Sequence, residues 1–307
     1  MNDAAVLLDE LTAQMGLGGP AARSVVRVWA LSGVERVRLA DGRNVIFKYA
    51  REPFTGEAAV LRYVAVQGVP VPRVVASIVH EGVLGMLLED LGESVRVAAA
   101  ADGAKAAVAV HDAEIPDFLR VLDRAGLIEL PRQALKSLVE LWSRGRWMTA
   151  VDLDGVLAAI EEQADRLSAG TDLPPFGLCH SEFHPTSLHV GAANWRLLDW
   201  ARAFVGPGLL DLASWQGTTG LVDPAALRRL IWAYIRTGGH GEASRPRAGL
   251  QPEMWALGWH RLWAVAWYLE QATTWINDPT QDTFVEQVVR RHLGEAVTCL
   301  NISIPSR

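Results

Sequence analysis

The chain has 307 residues, half of them hydrophobic and 21% charged, which is enough apolar material for one large domain or two lobes and too much for global disorder. A formal net charge of −6 with no basic run excludes a generic grip on nucleic acid. Two cysteines, Cys179 and Cys299, supply neither a disulfide framework nor a zinc quartet.

In chain order, residues 1–20 carry Asp9 and Glu10 where an export signal would carry Lys or Arg, and no later run reaches the ~18 uncharged apolar residues of a membrane span. The expectation is a cytoplasmic protein, monomer or homodimer, with no membrane partner. Three strand-like runs follow, at 24–31, 34–40 and 44–49, with Arg27, Arg36 and Arg38 alternating with apolar residues. Asp41-Gly42 marks a tight turn between the second and third. Thr55-Gly56-Glu57 opens a helix whose apolar face is Ala58, Val60, Leu61, Val64 and Ala65, and Gly68 with Pro70 and Pro72 ends it. Two more strands, 73–80 and 83–89, are joined by Glu81-Gly82, and Asp90-Leu91-Gly92 is a natural joint. Beyond it, helices are predicted at 104–112, 117–125, 132–144 and 152–169, then short strands around 178–199, then helices to the end with breaks near 238–252 and 277–280.

The segment rich in chemistry is Cys179-His180-Ser181-Glu182-Phe183-His184-Pro185-Thr186-Ser187-Leu188-His189-Val190, followed by Leu197-Leu198-Asp199-Trp200. A loop offering an acid and a hydroxyl, followed by an acid at a strand end, suits a metal-bound phosphate. Phosphoryl transfer needs a carboxylate to orient the attacking hydroxyl, oxygen ligands for Mg2+ and a cation for the remaining phosphate charge. Two zinc readings fit less well. A zincin requires His-Glu-x-x-His on one helix face, and Pro185 breaks any helix here; a zinc deaminase requires a later Pro-Cys-x-x-Cys, which is missing.

These residues, with Gly206 to Asp211-Leu-Ala, resemble the aminoglycoside phosphotransferase family of kinase-like enzymes, whose usual signature is His-Gly-Asp-Leu-His-Pro-Gly-Asn, then Ile-Asp-Trp, then Asp-Leu-Ala. Lys48 at the end of the third strand, Glu57 opening the helix, Gly68-Val-Pro70-Val-Pro72 and Leu88-Glu89-Asp90-Leu91-Gly92 extend the resemblance over roughly residues 24–215. It implies an α+β, two-lobed protein-kinase-like fold, with an antiparallel-sheet lobe at 1–91 and a mainly helical lobe with catalytic loop and acceptor site at 92–307. It implies ATP or GTP and Mg2+ as cofactors. Lys48 would hold the α and β phosphates and pair with Glu57. Backbone from Glu89 to Leu91 would bond the base edge, the loop at Ser32-Gly33 would cover the phosphates, and Asp199 would chelate Mg2+. Glu182 stands at the catalytic Asp, Ser187 at a magnesium-binding Asn. His180 and His184 would brace the loop, and Asp211 would hold its backbone.

Three departures stand out. Glu182 is one methylene longer than Asp yet can still take a proton. Ser187 offers a shorter oxygen ligand than Asn, and Gly206-Pro207-Gly208 lacks the acid many relatives carry. The expected function is transfer of the γ-phosphoryl group to a hydroxyl of a small molecule, with antibiotic inactivation or self-resistance as the role. The alternatives are a nucleotide-binding regulatory protein without turnover and a kinase of a primary metabolite such as an amino alcohol or sugar. Of 12 Trp, Trp255, Trp259, Trp263 and Trp267 recur every four residues on one helix face, to pack a core or to wall an acceptor pocket. Asp112, Glu114, Glu270 and Asp278 are candidate acids for a cationic acceptor.

Overall fold

Alternation along the strands sorts the first hundred residues onto two faces. In the computed structural model, which describes residues 2–304, the strands β1 (Pro20–Val28), β2 (Ser32–Leu39), β3 (Asn44–Arg51), β4 (Val74–His80) and β5 (Val83–Glu89) form one antiparallel sheet in the order β1-β2-β3-β5-β4. Gly42 (φ +85°) makes the predicted turn between β2 and β3. One face packs Val37, Leu39, Val45, Phe47 and Leu87 against Leu7, Leu8 and Leu11 of α1 (Asn2–Gln14), a helix the sequence reading had not anticipated. The opposite face carries Val34, Arg36, Ile46, Lys48 and Leu88, which line a pocket. The helix α2 (Glu57–Val66) packs against β4.

The edge strand β1 starts earlier than expected and carries a bulge. Val25 pairs with Glu35 and Arg27 with Val34, so Val26 is the extra residue, and Val34 in turn pairs with Lys48. Residues 186–202 complete this compact unit, which otherwise runs up to Ala98. They form a hairpin of β7 (Leu188–Val190) and β8 (Trp195–Leu197), sewn in by Val95 N donating to Val190 O at 2.8 Å and Leu197 N donating to Pro70 O at 2.8 Å.

The second compact unit comprises Ala99–Pro185 and the chain from Ala203 onward. It contains α3 (Ala100–His111), α4 (Arg124–Ser143), α5 (Leu153–Leu167), the paired strands β6 (Phe176–Cys179) and β9 (Phe204–Pro207), α6 (Leu209–Ser214), α7 (Pro224–Arg236), α8 (Pro252–Glu270) and α9 (Asp282–Leu300). The helix expected over 117–125 does not form. Its backbone is taken by β9 instead: Val205 N donates to Arg120 O at 2.9 Å and Leu122 N to Val205 O at 2.7 Å. Helix begins only after Asp123, whose carboxylate accepts Gly126 N at 2.8 Å. α4 then runs through Pro131, where a helix start had been expected. The buried stripe Leu127, Leu130, Ala134, Leu138, Leu141 continues past the proline and outweighs its one lost donor. Trp255 and Trp259 are fully buried, and both indole N–H groups donate to Leu167 O, at 2.8 and 3.2 Å, fastening α8 to the end of α5.

Candidate active site

The pocket of the sheet-bearing unit, about 360 Å³, is built around one buried cation. Lys48 Nζ lies 2.7 Å from Glu57 Oε1 and 2.7 Å from Asp199 Oδ1, and Glu57 Oε1 also accepts the backbone N–H of Trp200 at 3.2 Å. The side chains of Lys48 and Glu57 are 8% and 1% exposed. Burial alone would lower the Lys48 pKa; the carboxylates of Glu57 and Asp199 outweigh it and hold the ammonium above its ordinary value. Burial raises the Glu57 carboxyl, with Lys48 opposing. Asp199 sits half-buried at φ +60°, in the left-handed region that few non-glycine residues other than Asn and Asp adopt. Arg27 NH2 approaches its two carboxylate oxygens at 3.4 and 3.5 Å.

Of the residues expected to contact nucleotide, Lys48, Glu57, Glu89 and Leu91 line this pocket, as does Asp199; Ser32 and Gly33 do not. Gly33 answers a packing need instead, since a Cβ there would come within 2.3 Å of the Tyr49 ring. Ser187 is fully buried and outside the lining, whereas its exposed neighbour Thr186 lines it. Ser187 O accepts Leu198 N at 2.7 Å, which ties the turn to the strand end that carries Asp199. Arg27, Arg36 and His189 also line the pocket, and the sequence alone gives Arg27 and Arg36 no functional role. The alternation of Arg27 and Arg36 was visible, but the bulge that sets their common face was not. Arg36 pairs with Asp90 at 2.8 Å and Glu93 at 3.1 Å.

In the second unit, Glu182 lies half-buried in the loop between β6 and a 3-10 turn at Pro185–Ser187. Asp211, at the start of α6, grips that loop: its carboxylate accepts His180 N at 2.6 Å and Ser181 N at 2.8 Å. Ser214 Oγ donates to Ser181 O at 3.0 Å. Behind Asp211, His111 Nε2 lies 3.6 Å from its Oδ2 and His111 Nδ1 lies 3.2 Å from the Tyr234 hydroxyl. Ser181 has φ +76°, which explains why the resembled signature carries Gly at this position. His180 is buried with its ring edge-on to Phe183 at 6.1 Å, and His184 is half-buried.

The tryptophan stripe divides. Trp255 and Trp259 are core, while Trp263 and Trp267 are half-buried, Trp263 stacking on Phe204 at 4.9 Å with the Arg120 guanidinium 5.8 Å from its ring centre. Among the candidate acids, Asp112, Glu114 and Glu270 are exposed, and the Asp278 carboxylate accepts the Thr280 backbone N–H at 2.9 Å. Among the described residues, no three His, Cys, Asp or Glu side chains converge to hold a metal ion by themselves.

A sequence model of the phosphotransferase enzyme family matches residues 19–249. No curated protein sequence matches the chain. Solved structures with the same fold include LicA in complex with AMP, 13% identical with a TM-score of 0.63 and covering 96% of this chain and 98% of that one. Macrolide 2'-phosphotransferase MphH from Brachybacterium faecium is 19% identical with a TM-score of 0.59, covering 94% and 98%. A choline/ethanolamine kinase family protein from Mesorhizobium loti is 16% identical with a TM-score of 0.58, covering 97% and 99%.

Proposed function

The chain belongs to the phosphotransferase enzyme family, and on that premise we propose that it moves the γ-phosphoryl group of ATP or GTP to a hydroxyl of a small molecule, in the cytoplasm, with antibiotic inactivation as its role. The observation that carries this reading is the Lys48–Glu57–Asp199 cluster in a pocket that also has apolar walls. The pocket fits a nucleotide: Val34, Ile46, Leu88 and Leu198 offer apolar walls for a planar base, and Lys48 offers a fixed cation for phosphates. It also fits Mg2+, which on a nucleotide needs only one or two protein carboxylates; Asp199 would supply one, whereas Ser187 is buried outside the pocket lining. When bound, the metal supplies neutralisation of phosphate charge.

The chain's own residues do the rest. Lys48, fixed by Glu57, holds the α and β phosphates. Glu182 accepts the proton of the acceptor hydroxyl as its oxygen bonds the γ phosphorus, while the bond from that phosphorus to the β–γ bridging oxygen breaks and the nucleoside diphosphate leaves. Asp211 positions Glu182 by holding the backbone of the two residues before it. Catalysis by such a set is mostly orientation and fixed charge. No helix among the described residues is long and apolar enough to cross a membrane.

Magnesium-dependent nucleotide turnover, measured across hydroxyl-bearing antibiotics, amino alcohols and sugars, tests the reading. Asp199→Ala and Glu182→Gln each lower kcat by about 100-fold or more. Wild-type turnover in both variants sinks the assignment of roles. Nucleotide binding with no turnover of any acceptor favours the non-catalytic alternative, which the Glu182 and Ser187 exchanges motivate.

A further inference from the structure

We propose that Arg27 is a second phosphate-binding cation of the nucleotide pocket, held on Asp199 until a nucleotide arrives. This rests on the nucleotide site proposed above. The placement is built into the sheet. With Val26 as the bulged residue, the residue opposite Val34 is Arg27, and the residue opposite Val34 on its other side is Lys48. Arg27 and Lys48 therefore stand on one face, in one cross-strand row, two strand spacings or roughly 10 Å apart. Under regular pairing Val26 would stand opposite Val34, and re-aiming a side chain next to a site is a recurrent use of bulges.

Asp199 bridges the two cations, at 2.7 Å from Lys48 and 3.4 Å from Arg27. Together with Glu57 they form a cluster of two cations and two anions. A divalent cation held on Asp199 would compete with both cations for that carboxylate. Lys48 is the less able to leave. Its side chain is 8% exposed and pinned to Glu57 at 2.7 Å, whereas Arg27 is 57% exposed and in longer contact. Arg27 yields, and the nearest new anion is the phosphate chain whose metal displaced it. A guanidinium donates to phosphate oxygens through two N–H groups at once. Arg27 so provides a charged grip beside a turn, Trp29-Ala30-Leu31, that has no glycine to let backbone N–H groups close on phosphates.

The test is calorimetric titration of the full chain with a non-hydrolysable ATP analogue and, separately, with adenosine, each with and without Mg2+. Arg27→Gln weakens the triphosphate analogue by about tenfold and leaves adenosine affinity at the wild-type value; Arg27→Lys recovers part of the loss. Because β1 is an exposed edge strand, the variant keeps the wild-type melting temperature, which is checked first. Equal or tighter triphosphate binding by Arg27→Gln overturns the proposal and makes the Asp199 contact a block alone. Failure of the wild-type protein to bind any nucleoside triphosphate overturns the nucleotide site itself, a result distinct from loss of the Arg27 effect.

Discussion

Lys48 and Glu57 each make the other tolerable. A lone ammonium or carboxylate at this depth would carry a desolvation cost of several kcal/mol, which only an opposite charge at contact distance offsets. Glu57→Ala removes one of the two anions at Lys48 and also the acceptor of the Trp200 N–H, so it destabilises the protein by about 3 kcal/mol. Lys48→Met with Glu57→Leu removes both charges, and urea denaturation should show it recovering at least half of that loss while nucleotide binding disappears. Additive losses in the double variant would show that the pair is not the unit that matters. Asp199 belongs to the same balance. Its φ of +60° lies in the left-handed region, which Asp tolerates better than most residues.

At the scale of elements, α8 and α9 meet around a histidine that the sequence never singled out. The His292 side chain is fully buried, stacks on Tyr268 at 6.0 Å and has Glu295 3.5 Å away. Burial first, then the neighbouring Arg261 and Arg291, push its pKa down from 6.5 to about 3. The folded protein thus keeps the ring neutral where the unfolded chain protonates it. The stability this contributes is complete above pH 6.5 and falls by about 1.4 kcal/mol per pH unit as acidity rises towards pH 3. Denaturation at pH 6.5 and pH 5 should show the wild type losing about 1.5 kcal/mol more than His292→Gln; parallel losses would refute it. Such a residue is illegible in sequence because its pKa comes from partners on two helices. What sequence could show was local. Asp41-Gly42 specified the β2–β3 turn, Gly68 the end of α2, and the order of strands around Lys48 and Glu57 placed them correctly on β3 and α2. Three features depended on distant partners and were lost: α1, whose burial is created by the sheet; residues 117–123, drawn from helix by β9; and α4 through Pro131. The site followed the same division. Lys48, Glu57 and Asp199 carry sequence signals, whereas Arg27 reaches the pocket face through a bulge that no local pattern announces.

At the scale of the whole molecule, the chain completes its sheet-bearing unit out of sequence order. Residues 186–202 return to it, and they hold Asp199, the Trp200 N–H that meets Glu57, and the β7–β8 hairpin bonded to Pro70 and Val95. A fragment ending at Ala98 therefore keeps the five strands but leaves Lys48 and Glu57 without those partners. It should show no cooperative melting transition above room temperature and no nucleotide binding by titration, while the full chain shows both. A fragment that melts cooperatively and binds nucleotide would mean that residues 186–202 are dispensable to the unit.

That threading also has a consequence during synthesis. The five strands leave the ribosome first, yet the segment that completes them is made only after roughly a hundred more residues, which at ~5–20 residues per second is a wait of about 5–20 seconds. Through that interval α1, the earliest helix to emerge, is the element that shields Val37, Leu39, Val45 and Phe47 from other nascent chains. The pocket face, with Lys48 and Glu57 still lacking Asp199, stays incomplete until Asp199 is translated, when a little under half of the second unit has been made.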